Sequence, residues 1–275
     1  MALRSILVAF SGDVASCSAL RFALRLQQRD GAHVTGVVWH GPLPLESRHR
    51  AFLSKGVARM LSGREDEAAA RIRHEFEAQV AALGSLDQAS FIDLHEVESF
   101  SLPRHARAYD LVVMTRHAAE VGREHAEVRP DIVALRGGRP VITVPDDFTG
   151  GAPAHVALAW DGKRAATRAL SDLLNVFGGV EKITLVTIAK DPEPKPEAGD
   201  DIMAYLQRHG ITANHVQRAP GRRRITQMLL DTSAELGADM LVMGAYEHSK
   251  FTEDLLGGVT RDILTDARLP VMMSH

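Results

Sequence analysis

A single cysteine, Cys17, among 275 residues excludes an intramolecular disulfide and any zinc site built on cysteines. At the start of a predicted helix it reads as a small core residue. Aromatic residues make up only 5% of the chain, and no apolar run approaches the ~20 residues that a bilayer-spanning helix needs. A formal charge of -3 supplies no global basic surface, so neither nucleic-acid nor membrane binding is expected. The opening MALRSILVAFSGD runs directly into a strand pattern without the regions of a signal peptide, which makes a cytoplasmic location the expectation. Also missing are the G-x-x-x-x-G-K-[ST] phosphate loop, the G-x-G-x-x-G dinucleotide fingerprint, the G-x-S-x-G elbow and any H-E-x-x-H pair. The 13 histidines, among them His105, His117 and His125, therefore read as scattered surface residues. No catalytic residue and no metal ligand is assigned.

What is present is alternation. Ile6–Phe10, Val34–Trp39, Phe91–Val97, Asp110–Met114 and Pro140–Val144 are short apolar runs of strand length. Between them lie helical patterns at Ser16–Gln28 and Glu65–Leu83, the latter ended by Gly84. Strands alternating with helices argue a parallel sheet covered on both faces. Then the pattern restarts. VALAW at Val156 repeats ILVAF at Ile6, an offset of 150, and each is followed by a polar residue and glycine, Asp161-Gly162 against Ser11-Gly12. DMLVM at Asp239 repeats DLVVM at Asp110, and LPVMMS at Leu269 repeats RPVITVP at Arg139. Two copies of one α/β unit explain these correspondences. The expected boundaries are 1–147 and 154–275, with the Gly- and Pro-containing DFTGGAPAH between. Arg21, Arg25 and Arg29 on the first helix, and Arg71 and Arg73 on the long charged one, read as solvated stripes.

The end of the second copy is the most informative stretch. Asp239–Met243 is a buried strand stopped by Gly244, and a helix opens near Gly257-Gly258. The first amides of a helix are unpaired donors at the positive end of its dipole, and they favour an anion. Copy one has Ser11 for the acid, Thr115 for Gly244 and RHAAEVGREHAEVRP for the glycine loop. Copy two is thus the candidate ligand half.

Taken together, the repeat and the GAYEHSKFTEDLLGGV stretch resemble the universal stress protein family in its tandem form. The family's Gly-x2-Gly-x9-Gly-Ser/Thr signature lies over Gly244, Glu247, Gly257 and Gly258, with spacing intact and two of the four residues identical. The resemblance implies two Rossmann-like, adenine nucleotide alpha hydrolase-like domains with parallel sheets of order 3-2-1-4-5, packed as an internal pseudo-dimer. Their last strands, Val141–Val144 and Val271–Met273, would pair. It further implies that Asp161 contacts the adenosine part and that Ile188 offers backbone groups to adenine. Gly244, Glu247, Gly257, Gly258 and Val259 would lie along the phosphates. The implied cofactor is ATP or a related adenine nucleotide, with Mg2+ as an option. Glu247 has three roles open to it: facing solvent, pairing with Lys250 or Arg261, or holding a divalent cation. Arg222, Arg223 and Arg224 would sit on the same rim.

The implied function is a cytoplasmic stress-response protein that binds nucleotide in its C-terminal domain as a regulator or sensor, with at most slow hydrolysis. The alternative is a member that binds no nucleotide and works as a scaffold for an unidentified protein partner. Further homo-oligomerisation is left open.

Overall fold

The computed structural model describes residues 3–38, 55–94, 101–115, 129–189, 201–245 and 258–275, with the side chains of 55–66 and 258–261 outside that description. Glu247, Gly257, Lys250, His117, His125 and the proline-rich stretch 191–199 therefore lie outside the described residues.

The first half runs β1 (Ser5–Ala9), α1 (Val14–Asp30), β2 (His33–Val38), α2 (Lys55–Leu83), β3 (Ala89–Asp93), α3 (Leu102–Ala106), β4 (Leu111–Met114), α4 (Pro130–Gly137) and β5 (Val141–Thr143). The second half repeats the order with β6 (His155–Ala159), α5 (Arg164–Val176), β7 (Lys182–Ile188), α6 (Ile202–Arg208), β8 (Thr212–Arg218), α7 (Ile225–Glu235), β9 (Met240–Gly244), α8 (Gly258–Asp266) and β10 (Val271–Ser274). Most strands fall within a residue or two of the apolar runs. The third departs most, starting at Ala89 and ending at Asp93. Its register is set by pairing with β2, from Val34↔Ala89 to Val38↔Asp93, so polar Ser90 is drawn into the ladder although no apolar pattern marks it.

The ten strands among the described residues form one sheet, ordered β3-β2-β1-β4-β5-β10-β9-β6-β7-β8. Each half has the order 3-2-1-4-5, and every pairing within a half is parallel. The join is antiparallel, through Val141↔Met273, Ile142↔Met272 and Thr143↔Val271. Ile142 and Met272 are equivalent in the repeat, so the local two-fold passes through their pair, the self-complementary geometry of an isologous dimer built into one chain. The pairing also removes two strand edges that would otherwise be open to other chains.

Side-chain alternation places the core on both faces of the sheet. Ile6, Val8, Val156 and Leu158 pack with α1, α2, α5 and α6, whereas Leu7, Ala9, Ala157 and Leu241 pack with α3, α4, α7 and α8. The helices earn their places by pattern. In α5, Ala166, Ala169, Leu170 and Leu173 make one buried stripe. Helix α1 is capped by Asp13 at its start and ends on Gly31, whose φ of 68° suits the left-handed C-terminal turn.

The repeated aspartates have a structural cause. Asp110 Oδ2 accepts from the amides of Arg4 and Ser5, each at 2.9 Å, and Asp239 Oδ2 accepts from Ala154 and His155 at 3.0 and 2.9 Å. In both halves the acid that opens strand four satisfies the amides at the start of strand one. That is the far end of the sheet from the crevice.

The arginine stripe on α1 does more than meet solvent. Arg29 Nη2 donates to the carbonyl of Val176 at 2.7 Å, and its guanidinium lies 5.2 Å from the centre of the Phe177 ring. Arg25 donates to the carbonyl of Thr149, while Arg21 holds Ser18, whose hydroxyl reaches the carbonyl of Asp146 at 2.5 Å. Arg25 and Arg29 remain exposed, as expected, but the stripe also bonds to the linker and the second half and links them to the first. Helical spacing of charges does not distinguish these outcomes, because the partners are carbonyls more than 120 residues away in sequence.

Candidate functional site

Strand order reverses between β6 and β9, which pair in parallel from Val156↔Met240 to Leu158↔Val242. The crevice beyond their carboxyl ends is where open α/β sheets hold ligands. Asp161 follows β6 and Gly244 ends β9, so the fold brings these two predicted residues to facing sides of the reversal. Ile188 ends β7, the next strand out, and is half-buried. Gly258 and Val259 are the first two residues of α8.

The end of β6 is held by hydrogen bonds across the sheet. Trp160 N donates to Val186 O at 3.0 Å, and Thr187 Oγ1 donates to Trp160 O at 2.9 Å. His215 Nε2 lies 2.9 Å from the same hydroxyl. The threonine has one proton and spends it on the carbonyl, so the imidazole nitrogen must be the donor in that second contact.

Asp161 itself is 52% exposed. Its Oδ1 accepts from Lys163 N at 3.1 Å and its Oδ2 lies 3.8 Å from Lys163 Nζ. Gly162, with φ at 72°, makes the turn between them. Lys163 is the N-cap residue of α5, and it provides no side-chain cap. The first turn of that helix therefore lacks the acceptor that a Ser, Thr, Asp or Asn would supply.

The absence of a side chain at Gly244 has a packing cause. A Cβ there would lie 2.6 Å from the carbonyl carbon and from Cβ of Ala165, and 2.8 Å from Ala166 N. The first turn of α5 rests directly on the end of β9, and only glycine permits that approach. Gly244 thus positions the crevice by seating a helix start over it.

The equivalent place in the first half differs at every position. Asp13 occupies the start of α1, its Oδ1 accepting from Ser16 N at 2.6 Å and its Oδ2 accepting from Ser11 Oγ at 2.9 Å. Thr115, where Gly244 stands in the other copy, is buried, and its Oγ1 has no hydrogen-bond partner among the described residues. The first half fills its own helix start with a carboxylate.

Sequence reasoning missed Lys163 and Asp13. The signal was one residue beyond the matched dipeptides: Ser11-Gly12 continues to Asp13, and Asp161-Gly162 continues to Lys163.

The arginine run is mostly committed to ion pairs. Arg224 Nη1 meets Asp262 Oδ2 of α8 at 3.0 Å, Arg223 pairs with Asp231 of α7, the helix that follows it, and Arg222 is exposed. Among the described residues no three His, Cys, Asp or Glu side chains converge as metal ligands. His105 lies on α3 with its Nδ1 against Ser101 O at 3.1 Å. Cys17 is buried, its thiol held above the ordinary value first by burial and then by the nearby Glu75 carboxylate. The thiolate is disfavoured, as suits a core residue.

A cleft of about 440 Å3 lies at the junction of the halves beside Arg29 and Phe177, and one of about 290 Å3 lies beside Arg73, His74 and Asp93. Neither of these two clefts is lined by Asp161 or Gly244; topology and the groups at its rim identify the crevice.

Residues 141–275 match the model of the Universal stress protein family. No curated protein matches the sequence. Among solved structures, a universal stress protein from Archaeoglobus fulgidus DSM 4304 superposes with a TM-score of 0.69 at 15% identity, covering 98% of this chain and 95% of that one. A putative universal stress protein from Pseudomonas aeruginosa UCBPP-PA14 superposes with a TM-score of 0.57 at 14% identity, covering 99% and 93%. These two likenesses carry the fold across both halves. Residues 141–275 are thus a domain of the Universal stress protein family, and the first half precedes it with the same fold and strand order, as in a tandem member.

Proposed function

We propose that the second half, residues 154–275, binds ATP or a related adenine nucleotide at the crevice between β6 and β9, and that the first half, residues 1–147, is its structural partner. The observation that carries this reading is the contrast between the halves. At one point of the repeat, Asp13 closes a helix start with its own carboxylate, whereas Lys163 leaves one uncapped beside an exposed acid. An uncapped helix start with a lysine attracts anionic groups, and an exposed carboxylate is an acceptor for ribose hydroxyls. In this reading Asp161 and Ile188 meet the adenosine part, while Gly244, Glu247, Gly257, Gly258 and Val259 follow the phosphates, with Mg2+ as an optional companion. The role is regulatory or sensing, in the cytoplasm, with at most slow hydrolysis.

The test is calorimetric titration of the full chain with ATP and magnesium, paired with thermal unfolding. Ligand at 100 times its dissociation constant stabilises by about 2.7 kcal/mol. Asp161→Ala is expected to abolish the shift and Ser11→Ala to leave it intact, and the reverse result would overturn the assignment of halves.

One observation favours a second reading, a scaffold that works through protein contacts. Gly244 is required by the seating of α5 on β9, so its presence needs no ligand to explain it. Absence of any ATP-dependent shift at millimolar nucleotide would put that reading first.

A further inference from the structure

We propose that Lys163 is the specificity residue of the second half, a cation that selects phosphorylated nucleotides over the bare nucleoside. The inference rests on the nucleotide reading of the crevice and adds to it a residue that the family signature does not contain.

Three observations carry it. Lys163 holds the repeat position of Asp13, so one site changes from an anion, bonded to Ser16 N at 2.6 Å, to a cation. Its side chain is 47% exposed, and its ammonium lies 3.8 Å from Asp161. That separation marks a loose pair that a more highly charged phosphate can compete for, on a four-carbon stem able to swing. Its backbone, in contrast, is fixed: α5 begins at the next residue, and the contact of Ala165 with Gly244 pins that turn to the sheet. Arg223 and Arg224, other cations of this half, are engaged with Asp231 and Asp262.

The division of labour follows from charge. Adenosine offers Asp161 hydroxyl donors and gives Lys163 nothing to bind, so its affinity is independent of the lysine. Each added phosphate brings negative charge within reach of the ammonium. Reinstating an acid at 163 would rebuild the cap seen in the first half and repel the same ligands.

The experiment is titration of the full chain with ATP, AMP and adenosine, using the wild type, Lys163→Gln, Lys163→Asp and, as a control, Lys182→Gln at the opposite end of the sheet. Lys163→Gln is expected to weaken ATP roughly tenfold, the scale of one charge contact at a partly wet site, and to leave adenosine unchanged. Lys163→Asp is expected to weaken ATP further while raising the melting temperature through the new cap, which also establishes that the variant is folded. Equal losses for ATP and adenosine, or no loss for ATP, would overturn the proposal. A wild type that binds none of the three ligands would remove the nucleotide reading itself, an outcome distinct from binding that ignores residue 163.

Discussion

Gly244 and Ala165 approach so closely that a Cβ on the glycine would lie 2.6 Å from the carbonyl carbon of the alanine. The obstacle is backbone, which cannot swing aside as a side chain could, so the helix or the strand must move if residue 244 grows. Gly244→Ala is expected to cost about 1–3 kcal/mol, the usual range for overpacking. At Gly179 a Cβ would meet no atom within 4 Å, and Gly179→Ala is expected to stay within about 0.5 kcal/mol of wild type. Urea unfolding of the two variants checks this, read as a shift in midpoint at constant slope. Equal midpoints would mean that α5 does not rest where it is described.

Arg29 joins the halves through two groups, the carbonyl of Val176 at 2.7 Å and the face of Phe177, and pairs with Asp30 of its own helix. The pair with Asp30 is exposed enough to contribute little. The charged hydrogen bond and the ring contact carry the effect, so Arg29→Ala is expected to lose about 1–2 kcal/mol. Arg29→Lys should recover only part of it, since an ammonium lacks the planar face that lies over the ring. Thermal unfolding of both variants decides. A lysine variant as stable as wild type would show that charge alone is at work.

His155 supplies a pH dependence. Burial lowers its pKa first and the adjacent Lys182 lowers it further, against an opposing pull from Asp239. Its Nε2 lies 2.9 Å from Thr184 Oγ1. Because the folded value lies below the unfolded one, the unfolded chain takes up the proton first as pH falls. The contribution to stability is complete above about pH 6.5, the unfolded value, and is lost progressively as pH falls through the depressed folded value. His155→Gln should flatten the decline in melting temperature below that pH relative to wild type. An unchanged slope would place the responsible group elsewhere among the 13 histidines.

Local pattern carried much of this molecule. The apolar runs and the exact recurrence of Asp110 in Asp239 were enough for an α/β repeat, because burial in a parallel sheet writes itself as short continuous hydrophobic segments and a structural acid must recur wherever its two amides recur. The 3-2-1-4-5 order came from resemblance, and the pairing of last strands with it. Asp161 and Gly244 were legible as residues of one crevice for the same reason.

Three things were beyond pattern, and two of them are contacts between residues far apart in the chain. The cause of Gly244 lies in Ala165, 79 positions earlier; the partners of Arg25 and Arg29 are carbonyls at Thr149 and Val176; and the exchange of a capping acid for Lys163 acquires meaning only when both helix starts are seen against their strands. Composition and periodicity report which surfaces must be buried, since transfer from water depends on the residue alone. They are silent on which backbone a given side chain will meet, because that depends on how elements pack, and packing is a property of pairs.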